Sequence, residues 1–136
     1  MSASIARELL AAVEAPEDRH ARAARAAEIV REARGYRWAG VYEVDDDCIG
    51  LLGQTGNDRD ASVAFSVAEG LSGEAVRTRR TVVAPAGSQM IVPILGAESG
   101  IAIGTLEIES KAGAALTDDD RDFAEACAGT LIALFE

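Results

Sequence analysis

The chain has 136 residues, of which 49% are apolar and 26% charged, so it is long and apolar enough for one folded domain, and its composition excludes a largely disordered chain. The formal net charge is −10, and nearly all of the excess negative charge lies in residues 41–136. That charge repels phosphate backbones and anionic lipids, and no apolar run approaches the ~20 residues of a membrane span. We therefore expect neither a nucleic-acid nor a membrane partner.

Cysteine and histidine usage argues against a disulfide framework and a metal centre. The two cysteines, Cys48 and Cys127, form no CxxC pair, and His20 is the single histidine, which leaves too few ligands for zinc. The N-terminus lacks the basic-then-apolar pattern of a signal peptide. We therefore expect a reducing, cytoplasmic setting with no metal and no cofactor.

Two helices are predicted in residues 1–34. Pro16 suits the first turn of the second helix, and Gly35 is its stop signal. Small residues, including Ala24 and Ala27, give that helix a face that allows close helix pairing within or between chains. The first helix is marked by an apolar stripe at helical spacing, formed by Ile5, Leu9 and Val13.

From residue 36 the pattern changes to period two. The three aspartates at 45–47 indicate a solvated hairpin loop, since no EF-hand spacing follows them. Thr117 caps the last helix, with acidic residues in its first turn. Hairpin-like connections predict an α+β fold with a six-stranded, mostly antiparallel sheet, the terminal helices on one face and a small helix and loops on the other. Strands are predicted at 36–44, 48–54, 62–66, 81–84, 89–95 and 101–110, and the small helix from Gly70 to about Arg79.

Four segments in this order resemble the GAF domain family. They are YRWAGVY at 36–42, GLSGEAV at 70–76, MIVPI at 90–94, and GTLEIES at 104–110, which is followed by LTDDD. The resemblance covers roughly residues 21–135. It implies a single GAF domain over 1–136, with N-terminal helices at 1–34, sheet and pocket at 36–110, and a C-terminal helix at 117–135.

Within that family the chain is most similar to the free methionine-(R)-sulfoxide reductases, compact GAF proteins that reduce a free amino-acid sulfoxide with cysteine chemistry. Their strand W-x-G-F-Y matches residues 38–42, and their pocket carboxylates match Gln89, Glu107 and Glu109. Ser72, however, stands where the family has a cysteine. Residues 84–88 leave no room for the long loop that holds the attacking cysteine in that family. Because sulfoxide reduction needs an attacking and a resolving thiol, the resemblance implies the fold and argues against the chemistry.

The most specific functional hypothesis concerns two glutamates on the last predicted strand. Alternation places Glu107 and Glu109 on one strand face, about 6.5–7 Å apart along the strand. They could be solvated, or they could face a pocket and favour an ammonium or guanidinium group. Alternation would place Ile101 and Ile103 on the same face as the two glutamates. Either that face is buried at the other end of the strand, or Gly104 marks a bulge that changes the alternation.

Three further features leave alternatives open. Trp38 and Tyr42 share a strand face, either as core packing or as a pocket wall. Ser72 could cap the small helix, or the N–H groups around it could receive an anion, and an acidic pair facing such donors would suit a zwitterion such as an amino acid. The arginines at 77, 79 and 80 fit a solvated helix end or an acidic partner.

We expect a non-catalytic, sensory GAF domain that binds a small polar ligand. A divergent free methionine sulfoxide reductase and a ligand-free module for self-association or partner docking are the alternatives. The small-faced helices at 2–34 and 117–135 predict a homodimer, and any signal then passes to a separate protein. The expected pocket is bordered by Trp38, Tyr42, Ser72, Gln89, Glu107 and Glu109.

Overall fold

The structure, a computed structural model, describes residues 1–56 and 64–135. No helix in these two ranges is both long and apolar enough to cross a membrane. The first residues of the strand predicted at 62–66, and the turn predicted at 57–58, lie outside the described residues. The elements in chain order are α1 (Ala3–Glu14), α2 (Arg19–Arg34), β1 (Trp38–Asp45), β2 (Cys48–Gly56), β3 (Ala64–Ser66), α3 (Gly70–Thr78), β4 (Val82–Val83), β5 (Gln89–Leu95), β6 (Ala102–Glu109), α4 (Asp118–Leu131) and a short 3-10 helix (Ile132–Phe135).

The strands form one six-stranded sheet in the order β3-β2-β1-β6-β5-β4. Every neighbouring pair is antiparallel, which confirms the expected α+β architecture. Two hairpins, β1–β2 and β5–β6, are joined through the β1–β6 pair. β1 and β6, which contain the first and the last of the four motif segments, therefore lie side by side at the centre of the sheet.

One face of the sheet is covered by α1, α2 and α4. Ala39 and Val41 of β1 and Leu106 and Ile108 of β6 have no exposed surface and join the same apolar core as the helices. This confirms that Leu106 and Ile108 point toward the terminal helices. Alternation then turns the even-numbered side chains of β1, and the odd-numbered ones at the end of β6, to the opposite face.

The small-residue face of α2 packs on the sheet of its own chain. Ala23, Ala26 and Ala27 are fully buried. A Cβ built on Gly53 of β2 would lie 2.4 Å from the backbone nitrogen of Ala24, so helix and strand are in backbone contact there. The small-residue face of α2, which predicted close helix pairing, therefore packs against the sheet of the same chain.

The start of α2 differs from the prediction. The helix begins at Arg19, and Asp18 is its N-cap, accepting a hydrogen bond from the Ala21 N–H at 2.8 Å. Pro16 lies before the cap and not in the first turn, because a carboxylate acceptor starts the helix more effectively than a fixed φ alone. Gly35 ends the helix as predicted, with a left-handed φ of 68°.

A buried polar network ties α4 to the end of α2. Thr117 caps α4 in a reciprocal capping box with Asp120, which confirms the predicted cap. The second oxygen of Asp120, Oδ1, accepts from the Tyr36 hydroxyl at 2.7 Å and from Arg34 Nε at 2.9 Å. Burial alone would raise the pKa of Asp120, but the bonds from Thr117, Tyr36 and Arg34 together lower it to about 2.

A bulge in β6 explains the unexpected parity of its isoleucines. Ile94 pairs with Gly104 and Leu95 with Ala102, which leaves Ile103 without a cross-strand partner on β5. Ile103 consequently packs against the core on the helical face. Of the two alternatives left by the sequence, the bulge beside Gly104 is the one that occurs.

Candidate functional site

The second face of the sheet lies beneath α3. Ala75 of α3 is fully buried against Val82 and Ile91, and α3 contacts β4, β5 and β6. A neighbouring apolar cluster on the same face contains Trp38, Tyr42 and Ile49. This is the face on which the sequence places the pocket.

Glu107 connects the sheet to α3. Its side chain is completely buried. Its Oε2 accepts a hydrogen bond from the Ser72 hydroxyl at 2.8 Å and another from the Thr105 hydroxyl at 3.1 Å. Removing a carboxylate from water is costly unless donors satisfy it, so these hydroxyls offset part of the cost of burial. The inward orientation proposed for this acid is therefore present.

Ser72 does not act as a helix cap. The N-cap of α3 is Glu69, whose side chain makes no capping bond, and Ser72 is the third residue of the helix. Gly70 adopts a left-handed φ of 75° at the start of the helix, which sets Ser72 inside the first turn instead of before it. From there its hydroxyl reaches Glu107, and it is nearly fully buried.

The aromatic pair is packed in the apolar cluster on this face. Trp38 and Tyr42 are almost completely buried, and Trp38 Nε1 donates to Gln54 Oε1 at 2.8 Å. A Cβ built on Gly40 would lie 2.6 Å from the Trp38 ring, so the indole covers Gly40. Gly40 lies directly between Glu107 of β6 and Gln54 of β2 in the sheet. The interpretation of this pair as core packing is therefore confirmed, and its role as a pocket wall stays a prediction.

Glu109 and Gln89 lie at the edge of this face. Glu109 pairs across the sheet with both Trp38 and Gln89. Its side chain is 23% exposed, and its Oε1 is 3.8 Å from Arg37 Nε. The two acids share a face as alternation predicted, but only Glu107 is deeply buried.

Two residues of the site were missed from the sequence. Thr105, which donates to Glu107, lies two positions before it on β6, and the period-two pattern could have identified it. Gln54, the partner of Trp38, could not be found in this way. The register between β1 and β2 shifts between Val41 and Tyr42, so the residue opposite Gly40 cannot be counted from the hairpin turn.

Neither cysteine adjoins Glu107. Cys127 is buried in the helical core on the other face, where burial raises the pKa of its thiol to about 12. Cys48 is exposed and pairs with Asp45, five strand positions from Gly40 and therefore about 16 Å away along the strand. Across residues 1–56 and 64–135, no group of three or more His, Cys, Asp or Glu side chains is arranged to hold a metal ion.

Three surface grooves formed by the described residues lie away from this face. Two flank the N-terminal helices, and one, of about 660 Å³, lies between β5 and α4. None of these three is lined by the six predicted pocket residues. In the part of the site that is described, apolar packing and the bond between Ser72 and Glu107 hold α3 against the sheet.

Known structures resemble this fold, although no protein-family profile and no curated protein match the sequence. A candidate GAF sensor protein from Burkholderia vietnamiensis is 28% identical, with a TM-score of 0.80 over 96% of this chain and 84% of that one. The free methionine-R-sulfoxide reductase from Neisseria meningitidis, solved with its substrate, is 25% identical, with a TM-score of 0.79 over 96% and 86%. The GAF domain of the Acinetobacter phosphoenolpyruvate-protein phosphotransferase reaches a TM-score of 0.81 over 98% and 93% at 15% identity, a likeness of fold alone.

The segments that carried the sequence resemblance occupy the expected places in this fold. Residues 36–42 lead into and form most of β1, residues 70–76 open α3, and residues 90–94 and 104–110 supply β5 and β6. Together with the similarity to GAF structures over nearly the whole chain, this arrangement shows that the chain has the fold of a GAF domain.

Proposed function

We propose that this GAF domain recognises a small polar ligand without transforming it, on the sheet face beneath α3. The observation that carries the proposal is the completely buried carboxylate of Glu107, held between the sheet and α3 by two hydroxyl groups. The expected pocket residues remain Trp38, Tyr42, Ser72, Gln89, Glu107 and Glu109.

The chemistry of the site favours a cationic group on the ligand. A carboxylate in a poorly hydrated site interacts more strongly with an ammonium or guanidinium than it would in water. Trp38 and Tyr42 supply flat apolar surface beside it. The similar Neisseria protein is named for a free amino-acid sulfoxide as its substrate, which supports an amino-acid-like zwitterion as the ligand here.

A thermal-shift screen tests this function directly. Free L-amino acids and their sulfoxides are compared with nucleotides and cyclic nucleotides at equal concentration. We expect at least one amino-acid-like compound to raise Tm in a concentration-dependent manner, because a ligand that binds only the folded state stabilises it. A screen in which no amino-acid-like compound raises Tm contradicts the proposal and favours a ligand-free docking module.

A divergent reductase is the second candidate, favoured by the similarity to the Neisseria enzyme. Reduction of a sulfoxide needs a thiolate that attacks sulfur and a second thiol that resolves the product. The positions of Cys48 and Cys127 supply neither beside Glu107. We therefore expect no turnover of free methionine-(R)-sulfoxide with dithiothreitol, whereas turnover that Cys48→Ser or Cys127→Ser abolishes would establish the reductase.

A further inference from the structure

The groove between β5 and α4 has the size of a ligand site and is separate from the face beneath α3. Its volume of about 660 Å³ lies within the usual range for small-molecule sites. It runs along the edge of the sheet, between the connection after α3 and the side of α4, and reaches the start of the 3-10 helix. Its lining includes Arg79, Arg80, Pro93, Leu95, Arg121 and Ile132.

The groove follows from the topology of the sheet. β4 has only two residues and pairs with Met90 and Ile91, so it leaves the outer edge of β5 uncovered from Val92 onward. Pro93 has no backbone N–H with which to continue the ladder. The chain before β4 and α4 then border this edge, with Leu95 and Ile132 as partly exposed apolar side chains of the groove.

Three arginines meet at this groove in a chain of net charge −10. Arg79, Arg80 and Arg121 are exposed, and no ion pair within residues 1–56 and 64–135 engages their guanidinium groups. The acid of the groove, Glu125, accepts a hydrogen bond from the Thr81 hydroxyl at 2.5 Å. The groove therefore presents positive charge on a negatively charged protein.

Helix electrostatics account for only part of this cluster. Cations at the C-terminal end of α3 are favourable, which suits Arg79 and Arg80. Arg121, however, is the fourth residue of α4, near the end of the helix where a cation is disfavoured. Arg79 ends α3 as its left-handed C-cap, with a φ of 59°. The position of Arg121 is therefore the feature of the cluster that helix electrostatics leave unexplained.

We propose that this groove binds a small molecule that bears a phosphate monoester. Guanidinium groups match the geometry of phosphate oxygens and bind them through paired hydrogen bonds. The apolar surface at Leu95 and Ile132 receives the organic part of the ligand. The site does not depend on the ligand proposed for the opposite face.

Phenyl phosphate is a suitable probe, because it combines a phosphate monoester with an apolar body. In calorimetric titrations at low ionic strength we expect saturable binding at one site, tighter than that of inorganic phosphate, and no binding of benzyl alcohol. Arg121→Gln and Arg79→Gln should each weaken binding at least tenfold. Arg7→Gln, which removes an exposed charge from α1, should change it less than twofold.

Two results would contradict the proposed phosphate site in this groove. One is the absence of saturable binding of phenyl phosphate at millimolar concentration. The other is an equal loss in Arg7→Gln and Arg121→Gln, which would show only a general effect of net charge. Circular dichroism of each variant verifies that these exposed substitutions leave the fold intact.

Discussion

Glu107 is the residue on which the packing of α3 and the proposed recognition both depend. Ser72 and Thr105 donate to the same carboxylate oxygen, one from the helix and one from the strand. A buried acceptor that loses a donor keeps its cost of desolvation, so each of these hydroxyls matters more than an exposed one.

Ser72→Ala tests the bond between α3 and the sheet. We expect the free energy of unfolding to fall by about 1–3 kcal/mol, because the buried carboxyl group of Glu107 loses a donor. The better helix propensity of Ala returns only about 0.5 kcal/mol. Ser88→Ala, at an exposed position, is the control and should change stability by less than about 0.5 kcal/mol. Equal effects of the two variants in urea denaturation would show that the Ser72 bond contributes nothing.

The carboxylate of Asp120 makes stability depend on pH. Its pKa is about 2 in the folded protein, below the ordinary value of 3.8. The stabilisation is therefore present in full above the unfolded pKa and is lost as pH falls from about 4 to 2. Asp120→Asn should cost about 2 kcal/mol at pH 7 and much less at pH 2, as measured by urea denaturation. A cost independent of pH would contradict this role.

The limits of the sequence at this scale are visible at Ser72 and Asp120. Strand alternation predicted that Glu107 lies on the face opposite Leu106 and Ile108, since one residue on a strand determines the face of the next, and it left open whether the side chain is solvated. The partner of Glu107 on α3 depends on how a helix docks on the sheet, which local pattern does not specify. Asp120 was predicted only as a first-turn acid, because its bonds to Arg34 and Tyr36 join residues more than 80 positions apart.

At the scale of elements, α2 and β2 come into backbone contact at Gly53. Gly53→Ala would place a methyl group 2.4 Å from the backbone of α2, which cannot move without disturbing the core. We expect a loss of at least about 1–3 kcal/mol, the usual range for overpacking. Gly50→Ala on the same strand is the control, because nothing lies within 4 Å of the added Cβ. Equal stabilities in urea would exclude the close approach.

Elements bounded by strong local signals were predicted most closely. β5 has the predicted bounds, since glycine and proline residues flank an apolar run, and Thr117 starts α4 as a cap does in most helices. The predicted start of α2 was wrong because Pro16 and Asp18 are competing helix-start signals two residues apart. The bulge at Ile103 was left open, since alternation alone does not show where a strand gains a residue.

At the scale of the whole molecule, the two faces of the sheet are covered by different helices. α1, α2 and α4 bury the main core on one face, and α3 covers the other. Since α3 bears Ser72 in its first turn and is followed by Arg79, one short helix adjoins both proposed sites. The GAF architecture could be inferred from the order of four motifs, whereas the groove at β5 could not, because it depends on how far β4 extends.

Homodimerisation remains a prediction. The alanine face of α2 is buried within the chain, so a dimer would have to use outer surfaces such as that of α1, where Leu10 is 45% exposed. We expect sedimentation velocity to show a dimer that Leu10→Asp converts to a monomer, because a charge in an apolar contact is costly. A wild-type monomer at high concentration would contradict the expectation.

The most direct measurement is calorimetric titration of free L-amino acids, including methionine-(R)-sulfoxide, into the wild type, Glu107→Gln and Glu74→Gln. The second variant removes an exposed charge from α3 and leaves Glu107 in place. We predict binding at one site in the wild type and in Glu74→Gln, and an affinity at least tenfold lower in Glu107→Gln, about 1.4 kcal/mol. Binding that is the same in all three proteins, or absent from the wild type, would contradict recognition by the buried carboxylate.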